Sequence, residues 1–148
     1  MSGAAAVYLA APYGARQRVR EYAAELRAAG HTVTSSWLDE THEINAGTQA
    51  AATSLPDETV SAHAAQDMED IDGSDALVLF TAKSLGVEGG GGRHVETGYA
   101  LAKGLPVFVV GDPENVFHRL GEPAVTLCGT WTGALRALRE VNGTGRAS

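Results

Sequence analysis

AAAVYLAAPYGARQRVREYAAELRAAGHTVTSSW, residues 4–37, is the stretch on which the fold turns. Its first eight residues are apolar without a break and end at Pro12 and Gly14, which suits a strand buried on both faces better than a helix. Val19, Tyr22, Ala23, Leu26 and Ala29 then recur at helical spacing, with Arg16, Arg20, Glu21, Glu25 and Arg27 on the other faces. Gly30 supplies the stop. HTVTSSW at 31–37 is rich in strand formers and follows the helix after one glycine, so the three pieces read as a βαβ unit with parallel strands.

The same alternation continues outward. Residues 39–55 have no sustained period and read as a long surface connection of the kind that lies over a site. Pro56, Asp57 and Glu58 open a helix in which Val60, Ala64, Met68 and Ile71 form one buried stripe, closed by Gly73. DALVLF at 75–80 is the next buried strand, followed by the glycine run 89–92 and a helix over 93–103 that Gly104 ends. PVFVV at 106–110 is a fourth strand, PAVTLC at 123–128 a weaker fifth, and 132–141 a final amphipathic helix before a Gly, Thr and Ser tail. Strands alternating with helices predict a three-layer α/β domain with a flavodoxin-like (Rossmann-like) parallel sheet in the order 2-1-3-4-5, with ligand at the carboxyl ends of the strands.

The chain has 148 residues, 44% hydrophobic and 20% charged, the composition and length of one globular domain over 1–148. A domain of this size buries a core without disulfide or metal support. A net charge of −7 argues against nucleic-acid polymers as partners, whereas one small phosphorylated ligand remains open. The one cysteine, Cys128, cannot form an internal bridge and reads as core. The start lacks a charged segment followed by an apolar one, and no apolar run approaches ~20 residues, so a cytoplasmic protein that does not enter a membrane is expected.

The sharpest chemical feature is GGGGRHVETGYA at 89–100, a glycine loop feeding a helix after a buried strand. Free N–H groups and the positive dipole end should hold a first-turn Glu96 ionised, as a nucleophile or merely as a complement to the dipole. The loop is neither a Walker A element nor a dinucleotide-binding fingerprint. In the preceding helix, at about 100° per residue from Val60, Asp67 falls near −20°, on the edge of the apolar stripe. Asp67 is thus either a functional carboxylate or a boundary group capped by a neighbour. Glu69 at about 180° and Asp70 at about −80° read as solvated charges, and Asp75 as a residue ordering the turn before its strand. His31, His42, His63, His94 and His118 show no zinc spacing; His94 stands out by lying two residues before Glu96. Arg16, Arg18 and Arg20 are better explained as an exposed basic face than as a phosphate site.

At these residues the chain resembles the nucleoside 2-deoxyribosyltransferase family, with its related deoxynucleoside 5′-monophosphate N-glycosidases and cytidylate hydrolases. The matching pieces are VYLAAPY (7–13), AAGHTVTSSW (28–37), QDMEDIDGSDALVLF (66–80), GGRHVETGYALAKGLPVFVVG (91–111) and ENVFH (114–118). The resemblance implies a retaining mechanism in which Glu96 attacks the anomeric carbon and forms a glycosyl-enzyme ester. It implies that Asp67 organises the sugar or handles the proton on the departing base, and that Tyr8 lines the site at the end of the first strand. Asn115 would come from a neighbouring subunit of a homodimer or higher homo-oligomer. Gly92, Arg93 and His94 are expected to contact a small nucleoside or nucleotide, and no cofactor is expected. Transferases of this kind carry an aspartate six positions before the nucleophile; that position is Gly90, with Glu88, His94 or Asp67 as substitutes, so hydrolase and transferase both stay open. A catalytically silent nucleotide-binding or sensing module is the rival reading. A phospho-acceptor receiver domain is poorer, since the strand over 76–80 ends in Thr81 rather than an aspartate.

Overall fold

Five parallel strands form one sheet in the order β2-β1-β3-β4-β5, where β1 is Ala6–Ala10, β2 Thr32–Val33, β3 Ala76–Phe80, β4 Val107–Val110 and β5 Val125–Gly129. The computed structural model describes residues 4–39, 57–87 and 91–143. The surface connection read at 39–55, beyond Asp39, together with Pro56, Glu88, Gly89, Gly90 and the tail from 144, lies outside the described residues. β1, β3 and β4 are buried at every position, which is why AVYLA, ALVLF and VFVV carry no polar alternation.

The helices are α1 (Arg16–Ala28), α2 (Asp57–Asp72), α3 (Ala82–Leu85), α4 (Gly92–Ala102) and α5 (Trp131–Leu138). The four-residue α3 had no signal in the sequence. α2 and α4 pack against each other, while α1 and α5 meet through Tyr22, whose ring centroid lies 4.7 Å from that of Trp131 and 5.1 Å from that of Phe80 on β3. Gly30 leaves α1 at φ +97°, a conformation costly for any residue with a Cβ, so the helix ends there and the chain turns into β2.

β2 is much shorter than HTVTSSW suggests, and the reason is visible in the ladder. Thr32 and Thr34 donate their N–H groups to Ala5 and Val7 carbonyls, as a parallel strand should. One step on, the Leu9 N–H is taken by the Ser35 hydroxyl at 2.5 Å and the Leu9 carbonyl by Trp37 Nε1 at 2.8 Å. Side chains satisfy the backbone where a longer strand would have done so. The chain curls instead into a 3₁₀ turn, Ser36–Asp39. With β2 on one side of β1 and β3 on the other, the order of connection reverses at β1 and opens a crevice beyond the carboxyl ends of β1 and β3.

Candidate active site

A cavity of about 280 Å³ lies at this crevice, a volume suited to one small metabolite. Pro12 and Tyr13 wall it after β1, Trp37 from the 3₁₀ turn, and Gly92, Arg93 and Glu96 from the start of α4. From α2 come Val60, Ala64, Asp67 and Met68. Of the stripe read as core, Ile71 alone is buried; the other three residues face the cavity. A helix beside a crevice and a helix over a core carry the same apolar stripe, so periodicity could not separate them.

α4 begins at Gly92, one residue earlier than the sequence suggests, and Glu96 falls in its second turn rather than its first. The dipole therefore acts weakly on it. Glu96 is partly buried, and Tyr8, with no exposed surface, donates its hydroxyl to Glu96 Oε2 at 2.5 Å. Burial pushes the Glu96 carboxyl up to about 8. The charge of Asp67 and a hydrogen bond with its carboxyl raise it further, as does the charge of Asp70, while the Tyr8 hydroxyl opposes the rise. This corrects the expectation of an ionised Glu96, because desolvation outweighs the helix terminus. With its carboxyl at about 8, Glu96 keeps its proton near neutral pH beside the Asp67 carboxyl. Burial and the same carboxylates push the Tyr8 hydroxyl well above its ordinary range, so it stays a donor. Tyr8 sits mid-strand in β1, not at its end, and touches Glu96 rather than lining the cavity.

Arg93 lines the cavity, yet its guanidinium is 8% exposed as a residue and engaged with Glu114: Nη2 to Oε2 at 3.1 Å and Nε to Oε1 at 3.3 Å. Glu114 Oε2 also accepts the Ala82 N–H at 3.1 Å, fastening α3 to the same point. His94 turns toward this cluster and does not line the cavity: its Nε2 is 3.8 Å from Glu114 Oε1 and its ring centroid 5.8 Å from that of His118. Burial and the Arg93 charge lower its pKa, which favours the neutral ring. Asn115 Oδ1 accepts the N–H groups of Phe117 and His118 at 2.9 and 3.3 Å, capping the 3₁₀ turn Val116–Arg119, and Asn115 Nδ2 lies 3.3 Å from His94 Nδ1. Around it Val116, Phe117 and Leu120 are 77%, 62% and 58% exposed, with Val95 at 66% on α4.

The structure thus gathers Glu96, Asp67, Tyr8, Gly92 and Arg93 at or against the cavity and sets His94 and Asn115 beside it. Arg16 and Arg18 lie over the rings of Tyr13 and Tyr22, and Arg20 faces Asp39 at 3.9 Å, as a solvent-side basic face would. Asp70 departs from expectation: it is partly buried and accepts hydrogen bonds from Ser36 and Gln66. Tyr13 and Trp37, whose rings are 6.1 Å apart, were missed as site residues. The signal for Trp37 was the pair Ser35-Ser36, which interrupts the strand pattern just before it.

Among the described residues, no helix is long and apolar enough to cross a membrane. No family model and no curated protein matches the sequence. Among solved structures, the chain is similar to BcmB, a CMP N-glycosidase from Clostridium botulinum, with a TM-score of 0.54 over 90% of this chain and 97% of that one. At 17% identity the likeness is one of fold: an α/β sandwich on a parallel sheet ordered 2-1-3-4-5.

Proposed function

We propose that the protein cleaves the N-glycosidic bond of a deoxynucleoside or its 5′-monophosphate. The observation that carries this reading is the Glu96–Asp67 pair at the wall of a metabolite-sized cavity, with Glu96 protonated near neutral pH and held by the Tyr8 hydroxyl. Breaking such a bond builds positive charge on the sugar and negative charge on the base, and so calls for a carboxylate at one and a proton at the other. One proton on two carboxyls supplies both. Transfer of that proton to the departing nitrogen leaves Glu96 ionised as the C1′–N bond breaks and the Glu96–C1′ ester forms. Water then attacks C1′, the ester opens, and the water's proton returns to the pair. Retention, through the Glu96 ester, is the course that the family resemblance implies. The fold-level likeness to a nucleotide N-glycosidase supports the reaction class, though not these roles.

The exposed apolar residues around Asn115 support the second part of the reading, a homo-oligomer in which that surface meets a neighbouring copy beside the cavity. The test of the reaction is chromatography of a panel of nucleosides, deoxynucleosides and their 5′-monophosphates after incubation with the protein, with and without a free acceptor base. Free base without acceptor marks a hydrolase and base exchange a transferase. Tight binding with no turnover marks a silent binding module and refutes the proposal.

A further inference from the structure

Asp70 lies one turn beyond Asp67 on α2 and does not line the cavity. Its Oδ2 accepts the Ser36 backbone N–H at 3.0 Å and the Ser36 hydroxyl at 2.6 Å, and its Oδ1 accepts Gln66 Nε2 at 2.9 Å. Its main-chain carbonyl accepts the Ser74 hydroxyl at 2.7 Å, and that hydroxyl meets the Thr34 hydroxyl at 2.7 Å. Helix α2 is thereby fastened to residues 34–36.

The effect falls on Trp37. The Thr32 and Thr34 N–H groups bond to Ala5 and Val7, so a ladder continued by one step would bring the Ser36 N–H to the Leu9 carbonyl. Ser36 turns to Asp70 instead, and the vacated Leu9 carbonyl takes Trp37 Nε1. The indole, 5% exposed, is held as a wall of the cavity beside Tyr13. An aromatic wall of this kind suits the planar face of a base.

We propose that Asp70 is a positioning residue whose carboxylate draws the Ser36 N–H off the β1 ladder and so sets the Trp37 wall against which the substrate's base rests. The base itself rests on the glycosidase reading above; the placement of Trp37 does not. Asp70→Asn keeps an oxygen that can accept both Ser36 donors, whereas Asp70→Ala keeps none, so the pair separates anchoring from bulk.

The experiment has two arms. In a Trp131→Phe background Trp37 is the remaining indole, and its fluorescence is read without any substrate. Asp70→Ala shifts the emission to the red and raises acrylamide quenching about twofold, while Asp70→Asn stays close to the parent. In steady-state kinetics on the substrate found by the panel, Asp70→Ala raises KM on the order of tenfold, and Asp70→Asn, which removes the same charge from near Glu96, restores KM to within about threefold. Ser36→Ala deletes only the hydroxyl bond and moves both readouts the same way by less, which carries the comparison should Asp70→Ala not fold. Unchanged Trp37 fluorescence in Asp70→Ala and Ser36→Ala overturns the proposal, as does an Asp70→Asn variant as impaired as Asp70→Ala. A shifted Trp37 with no substrate in the panel leaves the positioning role standing and refutes the glycosidase reading instead.

Discussion

Replacing Glu96 by Gln should abolish turnover and, at the same time, stabilise the protein above neutral pH. The Glu96 carboxyl stands at about 8 in the folded protein against its usual 4.5. Between those values the folded protein retains a proton that the unfolded chain has released, so the unfolding free energy falls as pH rises, by at most about 1.4 kcal/mol per pH unit. The stabilising contribution of protonated Glu96 is complete below about pH 4.5 and is lost as pH rises through about 8. Integrated over that window it is on the order of 3–5 kcal/mol, a large share of a domain's stability. A Gln side chain keeps an acceptor for the Tyr8 hydroxyl and offers a donor to Asp67, so it imitates the protonated acid and removes the slope. Urea unfolding of both proteins at pH 5, 6, 7 and 8 at fixed ionic strength measures it. The Gln variant gains on the parent with each step in pH. A difference between the two that stays constant within about 0.5 kcal/mol refutes the raised carboxyl and the proton that Glu96 keeps near neutral pH.

Tyr8→Phe removes the one bond that favours ionised Glu96, so the alkaline limb of kcat/KM against pH, where the pair loses its proton, moves to higher pH with circular dichroism unchanged. Asp67→Asn removes the charge that raises Glu96, moving that limb to lower pH, and lowers kcat on the order of 10²–10⁴-fold because the proton donor is gone. Limbs that shift in the same direction in both variants would exclude the arrangement described. Light scattering should give a mass of at least twice 15.3 kDa. Mixing inactive Glu96→Ala with inactive Asn115→Ala should restore part of the activity through hybrid sites, and an active monomer would eliminate the shared site.

The sheet was legible in the sequence because its central strands are buried on both faces: AVYLA, ALVLF and VFVV leave little choice of element, and the alternation with helices leaves little choice of order. That Asp67 would face the crevice was legible from its angle on the helix, and that Glu96 would do so from its place after the glycine loop. The charge state of Glu96 was not, because it depends on Tyr8, 88 residues away, and on burial that no local pattern reports. The cavity wall was hidden for a related reason: Val60, Ala64 and Met68 are apolar at helical spacing whether the space beside them is filled or open. Asp70 was misread because its partner, Ser36, lies in a segment read as strand; only the side-chain bonds that end β2 turn that segment toward α2. His94 lay close to Glu96 in sequence, but two residues of helix turn a side chain about 200° away, toward Glu114 and Asn115.

The covalent step proposed for Glu96 joins its carboxylate to the sugar during cleavage of an N-glycosidic bond. Its most direct test is intact-mass and peptide mass spectrometry after incubation with a deoxynucleoside whose sugar carries fluorine at C2′, a substitution that slows resolution of the ester. The expected result is one added glycosyl group per chain, located on the peptide containing Glu96 and absent from Glu96→Ala. Release of base from the natural substrate with no adduct, or an adduct on another residue with Glu96→Ala near native activity, would contradict it.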